Sequence, residues 1–400
     1  MTEALAQVPF TVTAGPLRHA QYAELAASAP IHRIMLPSGE PAWLITNYAQ
    51  ARRALHDSRL VKSPVATGHV GRDLVPPEVF AAMANHMLNL NPPDHTRLRR
   101  LVTTAFTRRR IEQLAPRIQQ ITDELVDVLA TETFADLITS LALPLPIAVI
   151  CELVGVPANQ RAEFHDWSST VVTGVLAGPD ALAAAITALV SYLRELVEIK
   201  RAAPADDLLS ALVAARDGQD RLSDDELTSM VFLILVAGHE TTVNLIGNGM
   251  LALLTHPDQW ELLRAQPDRL PAAVEELLRF DGPVQVTTPR RTAAPIDIGG
   301  VTVPADEIVL IGLLAANRDP ACTKQAGTLD ITRTDNPHLA FGHGIHHCLG
   351  APLARLEGRI ALGALLSRFP QLRLAVPVEQ LIYRPGVLMN GLTTLPVILR

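Results

Sequence analysis

Aromatic side chains are scarce in this chain of 400 residues: nine Phe, four Tyr and three Trp make up 4% of it. Its core must be aliphatic, and a hydrophobic content of 48% is ample for one large domain or two ordinary ones. Cysteine is scarcer still. Cys151, Cys322 and Cys348 are an odd number in a long chain, which implies no disulfide framework and fits a reducing cytosol. Positive charge is not in excess, since the net charge is −7, and nucleic acid is excluded as the main partner. No run of 18 or more apolar residues is present to span a bilayer, and the longest, Met230 to Gly238, reads as part of a buried helix. Met1 to Thr13 lacks a basic region followed by an apolar run, so no signal peptide is expected. There is no internal repeat, and 30 prolines mark turns between helices. These absences together predict a soluble cytoplasmic protein.

The most informative stretch runs Phe341-Gly342-His343-Gly344-Ile345-His346-His347-Cys348-Leu349-Gly350-Ala351-Pro352-Leu353-Ala354-Arg355. Three glycines in ten residues permit a tight loop whose backbone can approach something flat and bulky. Leu349, Leu353, Leu356 and Ile360 then recur at helical spacing. The pattern places Cys348 at the helix N-cap, where unpaired N–H groups and the helix dipole favour a thiolate. Pro352 falls in the first turn, where a missing N–H costs least. A zinc half-site formed by His343, His346, His347 and Cys348 lacks a second Cys/His pair at suitable spacing. Cys151 reads as a core residue.

Three other stretches carry unusual polarity. Pro92-Pro93-Asp94 is a helix-start signal, and it puts His95 and Arg99, four apart, on one helix face. Ser223-Asp224-Asp225-Glu226 is a capping box opening the longest helix, which His256-Pro257 ends. Within its apolar run stands Ala237-Gly238-His239-Glu240-Thr241-Thr242, and polar groups in a buried helix need a reason. A zinc-protease His-Glu-x-x-His fails at Val243, and the Gly247-Asn248-Gly249 stretch has no strand before it to make a dinucleotide fingerprint. The Thr241 hydroxyl can bond back to the Ala237 carbonyl and bend the helix. Finally, Glu276-Leu277-Leu278-Arg279 pairs opposite charges three apart.

The loop around Cys348 resembles the haem-binding segment of the cytochromes P-450, Phe-Gly-x-Gly-x-His-x-Cys-x-Gly-x-x-Leu-Ala-Arg, at all its fixed positions. The other three stretches resemble that family's motifs in the same order, from about Leu17 to Leu399. The resemblance implies a mainly α fold with a smaller β-rich region near the N-terminus, as one haem-thiolate domain over 1–400 with a loose segment at 1–16. It makes Cys348 the axial ligand of haem b iron, a thiolate that favours O–O cleavage. Phe341, Gly342, His346, Gly350 and Ala237 would line the haem, and His95, Arg99 and Arg290 would hold its propionates. Thr241 would hydrogen-bond the reacting oxygen while Glu240 relays protons. Glu276 and Arg279 would be buried and brace the haem loop with a later arginine. Here the sequence departs from the family: Thr323, Ala326 and Thr328 replace the usual Phe, Pro and Arg, leaving Arg333 or Lys324 to stand in. Val284, Val286, Thr287, Leu388 and Met389 would touch substrate, and the helices flanking Gly178-Pro179 would form a lid.

The implied activity is a monooxygenase inserting one atom of O2 into a bulky apolar molecule of polyketide, macrolide, terpenoid or sterol-like kind. The chain ends about 50 residues after Cys348, so a separate ferredoxin or flavodoxin-like donor and its NAD(P)H-linked reductase are expected, with no fused reductase. Arg97, Arg99, Arg100, Arg108, Arg109 and Arg110 form either a solvated helix end or a docking face for an acidic redox protein. A monomer is expected. The alternatives are a haem-thiolate binding protein without turnover and a peroxide-driven peroxygenase, both disfavoured by the Glu240–Thr241 pair.

Overall fold

The computed structural model of the chain describes residues 17–62, 74–173, 178–216 and 219–400. The stretch from Lys62 to Pro77, with its prolines and glycines and no clear period, reads in the sequence as a long surface loop, and it falls largely outside them. Among the described residues the chain is mainly helical, with three small sheets. It opens with α1 (Arg18–Ser28), β1 (Ile31–Met35), β2 (Pro41–Ile45), α2 (Tyr48–His56) and β3 (Leu60–Val61). There follow α3 (Pro77–Ala84), α4 (Asp94–Ala105), α5 (Arg108–Gln113), α6 (Ala115–Leu129), β4 (Phe134–Asp136) and α7 (Pro144–Val154). Next come α8 (Arg161–Thr173), α9 (Pro179–Ala202), α10 (Leu208–Ala214), α11 (Asp224–Leu254), α12 (Pro257–Ala265) and α13 (Leu270–Asp281). The chain ends with β5 (Arg290–Thr292), β6 (Ile296–Ile298), β7 (Val301–Val303), β8 (Ile308–Ile311), α14 (Leu313–Asn317), α15 (Ala351–Arg368), β9 (Arg373–Leu374) and β10 (Pro396–Ile398).

Local chemistry explains the boundaries that matter. The capping box closes both ways: Ser223 N donates to Glu226 Oε2 at 2.8 Å, and Glu226 N donates to Ser223 Oγ at 3.3 Å. Apolar residues recur at helical period from Ile111 to Leu129, which predicts one long helix, but the structure has two, α5 and α6, which part at Leu114. Pro116 has no N–H with which to continue the ladder from Glu112. By length and composition α11 could cross a bilayer, but 61% of its most apolar stretch is buried inside the protein, as in a core helix.

Packing divides the chain into two compact units. The first comprises Met1–Val61, Arg117–Pro144 and Thr241–Arg400. Its main sheet has the order β1-β2-β8-β5-β3, with β2 and β8 parallel and the other pairs antiparallel. Strand alternation divides the apolar residues between its faces. Trp43, Ile45, Val309 and Ile311 pack with Ala51, Ala54 and Leu55 of α2. Ile34, Leu44, Ile308 and Leu310 pack with Tyr22 of α1. Each such fully buried aliphatic side chain contributes about 1.5–3 kcal/mol. The sheet therefore joins the N-terminal hairpin of β1 and β2 to β8 and β5, which come late in the chain.

The second unit comprises Lys62–Pro116 and Leu145–Glu240, and α9 is the helix against which α3, α8 and α10 pack. Lys200 and Asp207 form a buried ion pair there at 2.5 Å, and Asp207 also caps α10 by accepting from Ser210 N at 2.7 Å. A carboxylate with two such donors offsets the cost of its burial.

Candidate active site

The loop before α15, in the first unit, is closed by its own backbone. Gly342 N donates to Leu339 O at 2.8 Å, His347 N to Gly344 O at 3.0 Å, and Cys348 N to Phe341 O at 2.9 Å. Gly344 has a φ of 74°, and a Cβ there would lie 2.8 Å from the Leu55 carbonyl oxygen, so no other residue fits. Gly350 precedes α15 as its N-cap, which corrects the expectation for Cys348. The turn Leu349–Gly350 intervenes, and the cysteine stands two residues ahead of the cap. Pro352 lies in the first turn, as expected.

Cys348 is exposed, and a Cβ at Gly350 would stand 3.8 Å from its Sγ, in contact with the sulfur. Phe341, Gly342, His346 and Gly350 are half-buried around it, and Ile345 is exposed. The other cysteines differ. Cys151 is wholly buried, and burial pushes its thiol up to about 12, while burial also raises that of half-buried Cys322. Cys348 is the one sulfur of the three placed to meet an incoming group.

Beneath the loop lie two ionic clusters, both in the first unit. Arg355 donates to Glu275 through Nε at 2.6 Å and Nη2 at 2.8 Å, and its guanidinium lies 4.4 Å from the Phe341 ring centroid. Glu275 also pairs with His338 at 3.1 Å. Burial alone would raise the Glu275 carboxyl, but the hydrogen bonds from Arg355 and His338 outweigh it and hold it at about 2. Sequence reasoning missed this cluster, although Arg355 stands in the motif itself. Its partner is 80 positions away, a distance over which no local pattern points.

The second cluster is the Glu276–Arg279 pair, buried, with a closest approach of 2.7 Å. Arg279 also donates to the carbonyls of Asn317 at 3.1 Å, Ala326 at 2.7 Å and Thr328 at 3.1 Å. Thr328, where the family has arginine, therefore contributes through its backbone. The third member of the cluster is Arg333, whose Nε lies 3.4 Å from Glu276 Oε2. Arg333 Nη1 reaches the carbonyl of Lys324 at 2.9 Å, and the Lys324 residue is exposed.

Arg290 and Arg291 part as strand alternation requires. Arg291 pairs with Asp306 at 3.0 Å at the surface. Arg290 is 4% exposed, donates to Leu60 O at 3.3 Å, and has a buried Nε with no hydrogen-bond partner among the described residues. Burial pulls its pKa down to about 10. A buried guanidinium short of an anion suits a carboxylate of a bound group, so the residues present fit haem. Of the expected pocket residues, Val284 bridges Met389 across an antiparallel pair, and Leu388 is 37% exposed. Thr287 exchanges bonds with Ile311, its N donating at 2.9 Å and its Oγ1 accepting at 3.3 Å. Val286 is fully buried in the core with Tyr22 and Leu44, so its side chain faces away from any open wall.

In the second unit, His95 is buried in the first turn of α4 and Arg99 is half-buried one turn on. Ala237 is exposed and Glu240 half-buried on α11, which continues as helix to half-buried Thr241 and beyond. A Cβ at Gly238 would be 2.9 Å from Ile150 Cδ1, which explains that glycine as a close approach of α11 to α7. Several of the clustered arginines are partnered. Arg97 holds Asp220 at 2.8 Å and Glu226 at 2.5 Å, Arg108 holds Glu112 at 2.7 Å, and Arg110 lies 3.5 Å from Asp206.

Comparison with known proteins adds the last finding. The family model described as Cytochrome P-450 matches residues 180–390. The chain is 49% identical over 385 residues to cytochrome P-450 107B1 of Saccharopolyspora erythraea, covering 95% of this chain and 94% of that one. It is 48% identical over 384 residues to the vitamin D(3) 25-hydroxylase of Pseudonocardia autotrophica, covering 95% and 93%. Among solved structures, the bacillaene polyketide synthase cytochrome P-450 PksS of Bacillus subtilis 168 is similar with a TM-score of 0.91 at 40% identity, over 98% and 99% of the chains.

Proposed function

The chain belongs to the cytochrome P-450 family, and we propose from that premise that it is a haem b monooxygenase of a bulky apolar small molecule. The observation that carries this is Cys348, an exposed thiol on a glycine-turned loop with Gly350 against its sulfur. Bound haem supplies the centre at which dioxygen is activated and one oxygen atom passes to the substrate. Cys348 holds that group by its thiolate, and Arg290, His95 and Arg99 neutralise its carboxylates. Phe341, Gly342, His346, Gly350 and Ala237 pack against it. Thr241 holds a proton at its Oγ1, and the Glu240 carboxylate passes protons inward from solvent.

Val284, Thr287, Leu388 and Met389 form the apolar wall that excludes water from the substrate. A wall of this kind, in a chain so poor in aromatics, suits alicyclic skeletons such as polyketides, macrolides, terpenoids and sterols. Two relatives, a vitamin D(3) 25-hydroxylase and a bacillaene polyketide synthase P-450, support that range by their names. The chain acts as one haem domain and receives electrons from a separate ferredoxin or flavodoxin-like protein.

The test is direct. The reduced protein exposed to carbon monoxide must show the red-displaced Soret band of sulfur-ligated haem, and Cys348→Ser must lose it. With surrogate ferredoxin and reductase, NADPH consumption must couple to oxygenated product. A wild-type protein without that band refutes the assignment.

A further inference from the structure

Residues 384–391 form a turn closed by an antiparallel bridge between Tyr383 and Leu392, with Arg384 N donating to Gly391 O at 2.9 Å. Leu388 and Met389 stand at its tip. The turn is fastened from below by polar groups that are almost wholly buried. Asn390 is 1% exposed, and its N donates to Pro283 O at 2.9 Å. Its Nδ2 donates to Asp281 Oδ1 at 2.7 Å and to Gly282 O at 2.9 Å, and its Oδ1 accepts from Arg18, itself 1% exposed. Its carbonyl accepts from Asn248 Nδ2 at 2.9 Å. On the other strand Gln285, 0% exposed, donates through N to Leu388 O at 2.9 Å and through Nε2 to Gly386 O at 2.6 Å and Met389 O at 3.2 Å. Asp281 is further held by His19 at 2.8 Å.

We propose that Asn390 and Gln285, backed by Arg18 and Asp281, form a buried anchor that sets where Leu388 and Met389 stand, and so which bulky substrates fit. The inference rests on the monooxygenase reading for its pocket, and it makes these four positioning residues for specificity. Their geometry is what assigns the role. A buried ionic cluster stabilises no better than apolar residues of the same volume, so stability alone gives no reason for one here. Its hydrogen bonds converge on the backbone of the turn that carries the two apolar side chains. Asn248, which holds the Asn390 carbonyl, lies seven residues beyond Thr241 on one face of α11. The anchor thus ties the turn to the helix that bears the proposed proton-handling residue.

The experiment uses the ferric holoenzyme and two azole probes that bind haem iron through nitrogen, imidazole (small) and clotrimazole (bulky). Asn390→Ala should keep the carbon monoxide band and the imidazole dissociation constant within about twofold, while that for clotrimazole shifts about tenfold or more. Gln285→Leu, which leaves the charged cluster intact, should do the same and carries the test if Asn390→Ala fails to load haem. Equal shifts for both azoles, or no shift for either, overturn the anchor. Absence of the carbon monoxide band in the wild-type protein instead overturns the monooxygenase reading beneath it.

Discussion

Glu357 offers the sharpest test of the forces beneath the haem loop. It lies on α15, nine residues beyond Cys348, is 2% exposed, and its Oε2 has no hydrogen-bond partner among the described residues. Burial pushes its pKa up from 4.5 to about 8. In the unfolded chain the carboxyl ionises near 4.5, whereas in the folded protein it keeps its proton up to about 8. Folded protein therefore binds more protons across that window, and stability falls as pH rises through it. At about 1.36 kcal/mol per unit, a gap of roughly 3.5 units amounts to about 5 kcal/mol, fully lost above pH 8. Glu357→Gln removes the titration but buries an amide N–H at a cost of about 1–3 kcal/mol. The two stability curves should cross: wild type ahead at pH 5, the variant ahead by about 2–4 kcal/mol at pH 9. Denaturant unfolding of the ferric protein at intervals from pH 5 to 9, followed by circular dichroism, measures both. Parallel curves would refute the argument.

Arg333→Ala should speed haem loss to apomyoglobin several-fold, because it removes the second cation on Glu276, while Thr328→Arg should not slow it. Unchanged loss in the first variant would show the brace lies elsewhere. Arg290→Gln removes a buried cation that has no carboxylate partner among the described residues, and its haem content on purification should fall well below that of wild type, read from the Soret-to-protein absorbance ratio. Reduction by a surrogate acidic ferredoxin should depend only shallowly on ionic strength, since Arg97, Arg108 and Arg110 already face carboxylates. A steep fall in stopped-flow reduction rate between low and moderate salt would contradict that.

Much of this was legible in the chain because the signals are local. The capping box of α11, the Pro352 first turn and the opposite faces of Arg290 and Arg291 all follow from chemistry within a few residues. The split between α5 and α6 was also written locally, in Pro116, but helical periodicity on both sides hid it. The N-cap position failed because the spacing of apolar residues marks where a helix can run, and the Leu349–Gly350 turn spends two residues without disturbing it. Other features were illegible in principle. Asp220 and Glu226 neutralise Arg97 from more than 120 positions away, so a run of arginines looked more basic than it is. Val286 vanished into the core because an aliphatic strand residue carries no mark of which face will be covered.

The distribution of buried charge adds a step that neither sequence nor fold makes alone. The residues around Cys348 are small, apolar or imidazole-bearing, and the charged groups lie one layer back. Glu275 with Arg355 holds Phe341, Glu276 with Arg279 and Arg333 gathers the carbonyls of residues 317 to 328, and Asp281 with Arg18 holds Asn390. Each cluster binds the backbone or ring of a segment with no regular ladder of its own. Hydrogen bonds have direction where apolar contacts have none, so they fix an irregular segment at a stated angle as burial cannot. Apolar substitution of a whole cluster should then leave thermal stability near wild type while haem affinity or substrate discrimination falls. That separation is what distinguishes a positioning layer from an ordinary core.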